Sequence, residues 1–167
     1  MSDAIELDES LIAQAAELLS AARANGDLIA TAESCTGGLV SAALTAVPGS
    51  SNVFERGFVT YSNAAKSEML GVPFWLIERH GAVSEDVARA MAGGALTHSR
   101  ATMAVAVTGI AGPDGGTSEK PIGLVHVAAG RPDGRMHHER VEFGDVGRAE
   151  VRRRSVEQAL SMLRSLV

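Results

Sequence analysis

The sequence predicts an α/β fold, a three-layer α/β/α sandwich with a mostly parallel mixed sheet. Apolar residues at helical spacing alternate with short apolar runs, a pattern typical of parallel strands connected by helices. Residues 102–108 are almost continuously apolar, as expected of a central strand covered on both faces. Residues 122–129 and 136–143 are typical of a hairpin, which adds an antiparallel component. Because the 167 residues contain no repeat or linker, one domain over 1–167 is expected.

The first third of the chain predicts a helix, a strand and a second helix. Residues 11–22 carry apolar side chains at helical spacing, and Asn25-Gly26 follows them as a helix stop. Residues 28–32 are a short apolar strand. Thr36 is predicted to cap the second helix, which would end at Pro48-Gly49.

The remaining elements follow from the same signals. Residues 57–61 predict a strand, and residues 63–70 predict a short helix directly after it. Ser84 is followed by two acids, a combination that favours the start of a helix. Asp145 is predicted to start the final helix, which would pack its apolar side on the sheet.

Charge and aromatic content argue against a nucleic-acid partner. The formal net charge is −5, from 15 basic and 20 acidic side chains, and this sign repels a polyphosphate. Aromatic residues make up only 4% of the chain, so surfaces on which bases could stack are scarce. We therefore expect no nucleic-acid partner.

The sequence also favours a cytoplasmic location without a membrane partner. Cys35 is the one cysteine, so no disulfide can form within the chain and a reducing compartment fits. Residues 1–10 contain four acids and no basic residue, unlike a signal peptide. The longest uncharged stretch, 34–54, contains glycines and Pro48, which would interrupt a membrane span.

Ligands of open α/β sheets bind beyond the carboxyl ends of the strands, and residues 31–38 form the first such segment. A strand end meets a helix start there, with Gly37 and Gly38 in the turn. Free backbone N–H groups near Ser34 would suit an anion or a developing oxyanion. An equally good interpretation is a tight turn with Thr36 as the helix cap.

The second segment, residues 60–66, contains a lysine in the first turn of a helix. The helix dipole disfavours a positive charge at that position, and partial burial would lower the pKa of Lys66 further. A neutral lysine could act as a general base for a serine, either Ser34 or Ser62. An ordinary surface lysine is the alternative.

The third segment, residues 108–117, is a glycine-rich loop after the predicted central strand. It lacks the Gly-Lys-Ser/Thr ending of a nucleoside triphosphate loop and the G-x-G-x-x-G dinucleotide pattern. Its small and rigid residues favour a loop that faces a ligand, with a flexible surface turn as the alternative.

Two arginines in the last helix complete the candidates. Arg148 lies in the predicted first turn, and Arg152 falls on the apolar side of the helix. Either guanidinium could bind a phosphate or carboxylate, or could form a structural ion pair with an acid such as Glu33 or Asp145.

Several other chemistries are not supported. Cys35 has no C-x-x-C partner, the five histidines lack zinc-site spacing, and no G-x-S-x-G motif is present. We therefore predict no metal and no cofactor. Cys35 stays an alternative nucleophile, although no basic neighbour in sequence would form its thiolate.

Residues 32–38 (AESCTGG), 61–66 (YSNAAK) and 107–113 (VTGIAGP) together resemble the CinA C-terminal family. The resemblance covers nearly the whole chain, and three motifs in the same order make it specific. It implies a stand-alone form without the molybdopterin-binding-like domain of longer members. Members act as nicotinamide mononucleotide deamidases, so the resemblance implies hydrolysis of that carboxamide to nicotinate mononucleotide and ammonia, in pyridine-nucleotide salvage.

The resemblance also assigns roles to residues. Ser34 corresponds to the nucleophile and Lys66 to the general base of an acyl-enzyme mechanism. The implied partner is the small-molecule substrate, and a homodimer is expected because such dimers are the commonest symmetric assembly. A nucleotide-sensing module without catalysis is the alternative function. The predicted substrate-binding residues are Glu33, Thr36, Gly37, Tyr61, Thr108, Gly109 and Arg148.

Overall fold

The computed structural model describes residues 7–167, so the predicted absence of a signal peptide falls partly on residues 1–6, outside the described part. Helices cover both faces of one sheet. The helices are α1 (Glu9–Asn25), α2 (Leu39–Thr45), α3 (Asn63–Leu70), α4 (Phe74–His80), α5 (Glu85–Thr97) and α6 (Arg148–Arg164). The strands are β1 (Ile29–Glu33), β2 (Phe54–Val59), β3 (Met103–Gly109), β4 (Leu124–Gly130) and β5 (Met136–Glu142).

The sheet has the strand order β2-β1-β3-β4-β5 and combines both kinds of pairing. Strand β1 pairs in parallel with β2 and with β3, because a helical crossover connects each strand to the next. Strand β4 is antiparallel to both β3 and β5, and β4 and β5 form the predicted hairpin. Four of the five strands therefore run in one direction, and the predicted mostly parallel mixed sheet is confirmed.

Alternation of side chains along the strands fills two cores, one on each face of the sheet. On β3, Val105 and Val107 pack on the side of α1, α2 and α6, whereas Ala104 and Ala106 pack on the side of α3, α4 and α5. Every β3 residue from Met103 to Thr108 is buried, which explains its continuous apolar sequence. The predicted three-layer sandwich is confirmed.

Capping signals placed several helix ends correctly. Helix α1 ends where Gly26 adopts the left-handed conformation at φ 73°, which favours glycine. Ser84 caps α5, since its hydroxyl accepts the Val87 N–H. Helix α3 spans the predicted residues 63–70, with Ser62 as its cap.

Three predicted boundaries are wrong. Thr36 does not cap α2, which begins at Leu39 after Gly38 and ends at Thr45, because the Thr36 hydroxyl donates to Glu33 instead. Asp145 does not start the last helix, whose first residue is Arg148. Strand β2 begins three residues before the predicted 57–61 and ends at Val59.

Helix α4 has no counterpart in the prediction. It is seven residues long, and Pro73 at its start offers no side-chain cap. Only Ile77 among its residues is buried, so the sequence shows no apolar periodicity there. Over residues 7–167, no helix has the length and apolar character needed to cross a bilayer.

Candidate active site

The structure brings the Ser34 hydroxyl and the Lys66 amine together. Ser34 directly follows β1, and strand alternation directs it to the face that Ala30 and Ala32 occupy, the side of α3. Lys66 lies on α3, and its Nζ is 3.0 Å from Ser34 Oγ although 32 positions separate the two residues. Of the two serines that the sequence left open, Ser34 is therefore the partner of Lys66, and Ser62 caps α3.

The surroundings of Lys66 favour its neutral form. Its side chain is 2% exposed, and burial lowers the pKa of the amine because the interior disfavours a charge. Nζ also contacts the carbonyl oxygen of Thr60 at 2.9 Å. Within the described residues, no carboxylate lies at ion-pair distance from Nζ, so no counterion offsets the cost of burial. Burial without a counterion thus makes the neutral amine, the form that can accept a proton, easier to reach.

The turn that carries Ser34, residues 34–38, is tight and glycine-dependent. The Ser34 N–H donates to the Val107 carbonyl, which ties the turn to β3. The Ser34 carbonyl accepts the Gly37 N–H, so this N–H is already engaged and is not free for an oxyanion. Gly37 and Gly38 have φ angles of 55° and 103°, in the region that side chains disfavour. The Cys35 N–H, next to the nucleophile, is the better candidate for an oxyanion donor.

Glu33 has a structural role, contrary to its prediction as a substrate-binding residue. Its carboxylate is fully buried on the α2 side of the sheet, opposite Lys66. It accepts the backbone N–H groups of Val40 at 2.8 Å and Ser41 at 3.1 Å. The hydroxyls of Thr36 and Ser41 donate to it as well. The carboxylate therefore holds the start of α2 and has no oxygen free for a substrate.

The Thr36 prediction fails for the same reason. The residue is fully buried, and its hydroxyl lies 2.7 Å from Glu33 Oε1 as a donor. Gly37, in contrast, is exposed, as a position that contacts a substrate should be.

Tyr61 and Arg148, two of the predicted substrate-binding residues, are in direct contact. Tyr61 is 60% exposed, and its hydroxyl accepts a hydrogen bond from Arg148 Nη2 at 2.7 Å. Arg148 Nη1 donates to the Gly112 carbonyl at 2.9 Å. One guanidinium thus connects the segment that precedes α3 to the glycine-rich loop. The ion pair considered with Glu33 or Asp145 does not form in the described part of the chain.

Thr108 and Gly109 lie beside Ser34 in the sheet. The parallel register pairs Glu33 with Val107, so Thr108 follows at the level of Ser34 and on the same face. Its hydroxyl donates to the Ala82 carbonyl at 2.8 Å. At Gly109 a Cβ would lie 2.7 Å from a Val125 methyl, so packing against β4 requires the glycine whether or not a ligand binds.

Cys35 is a poor nucleophile in this structure. The residue is buried, and burial raises the pKa of its thiol to about 12. The thiolate, which is the reactive form, is therefore scarce at neutral pH.

Two further residues lie at the site: Arg152, whose role was open from sequence, and Thr60, which was not among the predicted site residues. The Arg152 guanidinium donates to the Cys35 and Thr36 carbonyls, in the turn that carries Ser34. Thr60 contributes its backbone carbonyl, which any residue type would supply, so no sequence signal marks it. Its hydroxyl is buried and, among the described residues, has no hydrogen-bond partner.

A cavity of about 630 Å³ lies elsewhere, beside the far end of the glycine-rich loop. Neither Ser34 nor Lys66 lines it, so this cavity is separate from the serine–lysine pair. In residues 7–167, no three histidine, cysteine or acidic side chains cluster as metal ligands would. The cavity is lined by Gly116, Thr117, Ser118, Pro121, Ile122, Glu142, Phe143, Gly144 and Asp145.

The fold and the site define a class of protein: an α/β/α sandwich with a serine–lysine pair where its parallel strands end. The family model of the CinA C-terminal domain matches residues 11–167. The chain therefore belongs to the CinA C-terminal domain family.

Similar proteins agree with this assignment. A CinA-like protein of Anaeromyxobacter sp. (strain K) is 50% identical over 159 residues, 95% of this chain. The chain spans only 37% of the length of that relative. The crystal structure of competence/damage inducible protein CihA from Agrobacterium tumefaciens has a TM-score of 0.94 and 48% identity, covering 99% of both chains. A CinA superfamily protein from Escherichia coli has a TM-score of 0.89 and 33% identity, covering 98% of this chain and 95% of its own.

Proposed function

We propose that this chain is an amidohydrolase that converts nicotinamide mononucleotide to nicotinate mononucleotide and ammonia in pyridine-nucleotide salvage. The observation that carries the proposal is the buried Lys66 amine at 3.0 Å from the Ser34 hydroxyl, without a carboxylate counterion in the described residues. A serine next to a neutral amine is suited to acyl transfer. The choice of substrate rests on the resemblance to family members with this activity.

The first half of the reaction forms an acyl-enzyme. Lys66 accepts the Ser34 proton while Oγ attacks the carboxamide carbon, which gives a tetrahedral intermediate. The Cys35 N–H is the proposed donor to its oxyanion. The Lys66 ammonium then protonates the departing nitrogen, and the C–N bond breaks. Ammonia is released, and the acyl group remains on Ser34 as an ester.

The second half releases the acid. Water attacks the ester carbon and gives a proton to Lys66, which has returned to its neutral form. The bond from carbon to Ser34 Oγ then breaks, and Lys66 returns a proton to the serine. Nicotinate mononucleotide leaves after its new carboxyl group has lost a proton to the solvent, and the free pair is restored.

Arg148, Tyr61 and Gly37 are the proposed substrate contacts around this pair. Arg148 supplies positive charge without an acidic partner in the described chain, which suits the phosphate of a mononucleotide. The glycine-rich loop, tied to Arg148 through Gly112, offers backbone groups to the ribose or phosphate.

The decisive experiment measures ammonia release from nicotinamide mononucleotide by the wild type, Ser34→Ala and Lys66→Met. We expect turnover by the wild type and a loss of about 100-fold or more in each variant, the usual scale for removal of a general base. Lys120→Met is a matched control, because it removes the other lysine of the chain. It should stay within about threefold of the wild type.

Two results would contradict the proposal. Loss of turnover in Cys35→Ala but not in Ser34→Ala would make the thiol the nucleophile. Calorimetric binding of the nucleotide by the wild type without ammonia release would favour the sensing module.

A further inference from the structure

Arg152 reaches from α6 onto the turn that carries Ser34. Its Nε donates to the Cys35 carbonyl at 3.1 Å, and its Nη2 donates to the Thr36 carbonyl at 3.3 Å. Arg152 is half-buried, and no carboxylate of the described residues lies within ion-pair distance of it. Its guanidinium therefore donates hydrogen bonds to two backbone oxygens and forms no ion pair with an acid of the described residues.

This turn depends on outside contacts to stay in place. It contains two glycines with positive φ, Gly37 and Gly38, which gain much backbone freedom when the turn is released. Inside the turn, one hydrogen bond joins the Gly37 N–H to the Ser34 carbonyl. The next two carbonyls along the chain, those of Cys35 and Thr36, accept from Arg152. The Thr36 carbonyl also accepts the Leu39 N–H, whereas Arg152 is the partner that the described residues supply to the Cys35 carbonyl, next to Ser34.

The contact also connects the two faces of the sheet. Helix α6 packs on the core that contains Val105 and Val107, whereas Lys66 lies on the opposite side, on α3. A guanidinium fork fixes direction as well as distance, unlike the point charge of a lysine. Arg152 contacts neither Ser34 Oγ nor Lys66 Nζ, so any effect on their separation acts through the turn.

We propose that Arg152 is a positioning residue that keeps Ser34 within proton-transfer distance of Lys66. This inference rests on the proposed function, because it assigns Arg152 a part in the same serine–lysine chemistry. A displacement of about 1 Å in such a pair can cost about 100-fold in rate.

The test compares Arg152→Met and Arg152→Lys with Arg154→Met, a matched control on the same helix whose guanidinium pairs with Glu150. Kinetics of ammonia release should show kcat at least tenfold lower in Arg152→Met, with KM within about threefold of the wild type. Added guanidinium should restore part of kcat to Arg152→Met and none to Arg154→Met. Arg152→Lys should lie between the wild type and Arg152→Met, and it replaces Arg152→Met if that variant does not fold.

A second readout does not depend on the identity of the substrate. A fluorophosphonate probe forms a phosphorus–oxygen bond to an activated serine, releases fluoride and leaves the serine proton with the base. Mass spectrometry of the Ser34 adduct gives the labelling rate, which we expect to fall at least tenfold in Arg152→Met and to stay unchanged in Arg154→Met.

The outcomes separate this inference from the proposed function. Unchanged kcat and labelling in Arg152→Met would overturn the inference alone. A raised KM with unchanged kcat and labelling would also overturn it, because Arg152 would then bind the substrate. A wild type that is labelled but releases no ammonia would overturn the proposed function, and slower labelling in Arg152→Met would still support the inference. No labelling of wild-type Ser34 would overturn both.

Discussion

The buried amine of Lys66, which the proposed reaction uses, lowers the stability of the folded chain. Burial lowers the pKa of its amine, and the described residues supply no counterion. The unfolded chain therefore binds a proton more readily at pH values between the lowered pKa of the folded state and the ordinary lysine pKa of 10.5. In this interval stability rises with pH, and below it the buried amine reduces stability.

Lys66→Met is accordingly expected to raise the free energy of unfolding at pH 7 while it abolishes turnover. Methionine keeps a long apolar stem without the amine, and we expect a gain of about 1 kcal/mol after the loss of the contact with Thr60. Urea unfolding at pH 7 and pH 10 measures this difference in the free energy of unfolding. The gain should be smaller at pH 10. A variant less stable than the wild type at pH 7 would contradict this account.

Glu33→Gln tests the structural role of the carboxylate. The carboxylate accepts four hydrogen bonds, from Thr36, Val40 and Ser41, whereas an amide would turn an NH2 group toward some of these donors. We expect a loss of about 2 kcal/mol in the free energy of unfolding, measured in urea. Glu68→Gln, at an exposed position of α3, is the control and should leave it unchanged. Equal stability of the two variants would remove the role assigned to Glu33.

Neighbouring residues in the nucleophile segment show what local sequence can predict. Chain position suggested Lys66 with either Ser34 or Ser62, because strand ends and helix starts concentrate reactive groups, and the family resemblance favoured Ser34. Glu33 was wrongly grouped with Ser34, although adjacent residues at a strand end point to opposite faces. The alternation of side chains along a strand therefore predicts that Glu33 and Ser34 lie on different faces and have different roles.

Among the secondary-structure elements, strands β4 and β5 are in contact through two histidine side chains that can take up protons. His126 on β4 stacks on His138 of β5, with ring centroids 5.1 Å apart, and it is 7% exposed. Burial is the main cause that lowers the pKa of His126 to about 4, and His138 adds to it. The other charged groups that act on this ring are Arg140, Lys120 and Glu85.

Stability should therefore fall as the pH drops from about 6.5 to about 4. Above pH 6.5 the ring is neutral in both states, whereas between these values the unfolded chain takes up the proton first. In His126→Phe we expect a shallower decline of the urea midpoint over this interval. His137→Gln, at an exposed position of β5, is the control and should keep the wild-type slope. Equal slopes for His126→Phe and the wild type would contradict the prediction.

A helix could be predicted from the sequence where its apolar periodicity and its capping residue indicated the same segment. Helix α5 has both the Ser84 cap and a buried side that includes Val87 and Met91. Helix α4 has neither, and packing against α5 holds it in place. A seven-residue helix gains little from its own hydrogen bonds, so tertiary contacts decide whether it forms.

At the scale of the whole molecule, the candidate site lies where the three layers meet. The sheet contributes Ser34, the α3 layer contributes Lys66, and the α6 layer contributes Arg148 and Arg152. A change in the packing of either helical layer would therefore alter the distances within the site.

The state of association is a prediction at this scale. We expect a homodimer, the commonest symmetric assembly, with a mass twice the 17.3 kDa of the chain in sedimentation equilibrium. A species of 17.3 kDa at micromolar concentration would contradict it.

The sequence was enough to predict the α/β/α class and, by residue position, to offer Lys66 with either Ser34 or Ser62 as a candidate pair. Its apolar periods match helices and buried strands, and its polar residues at strand ends stand out from their surroundings. Three contacts became known from the folded chain alone: Lys66 with Ser34 and not Ser62, Glu33 with the start of α2, and Arg152 with the turn that carries Ser34. The physical reason is that these outcomes depend on distances and burial between segments far apart in the chain, which local patterns do not encode.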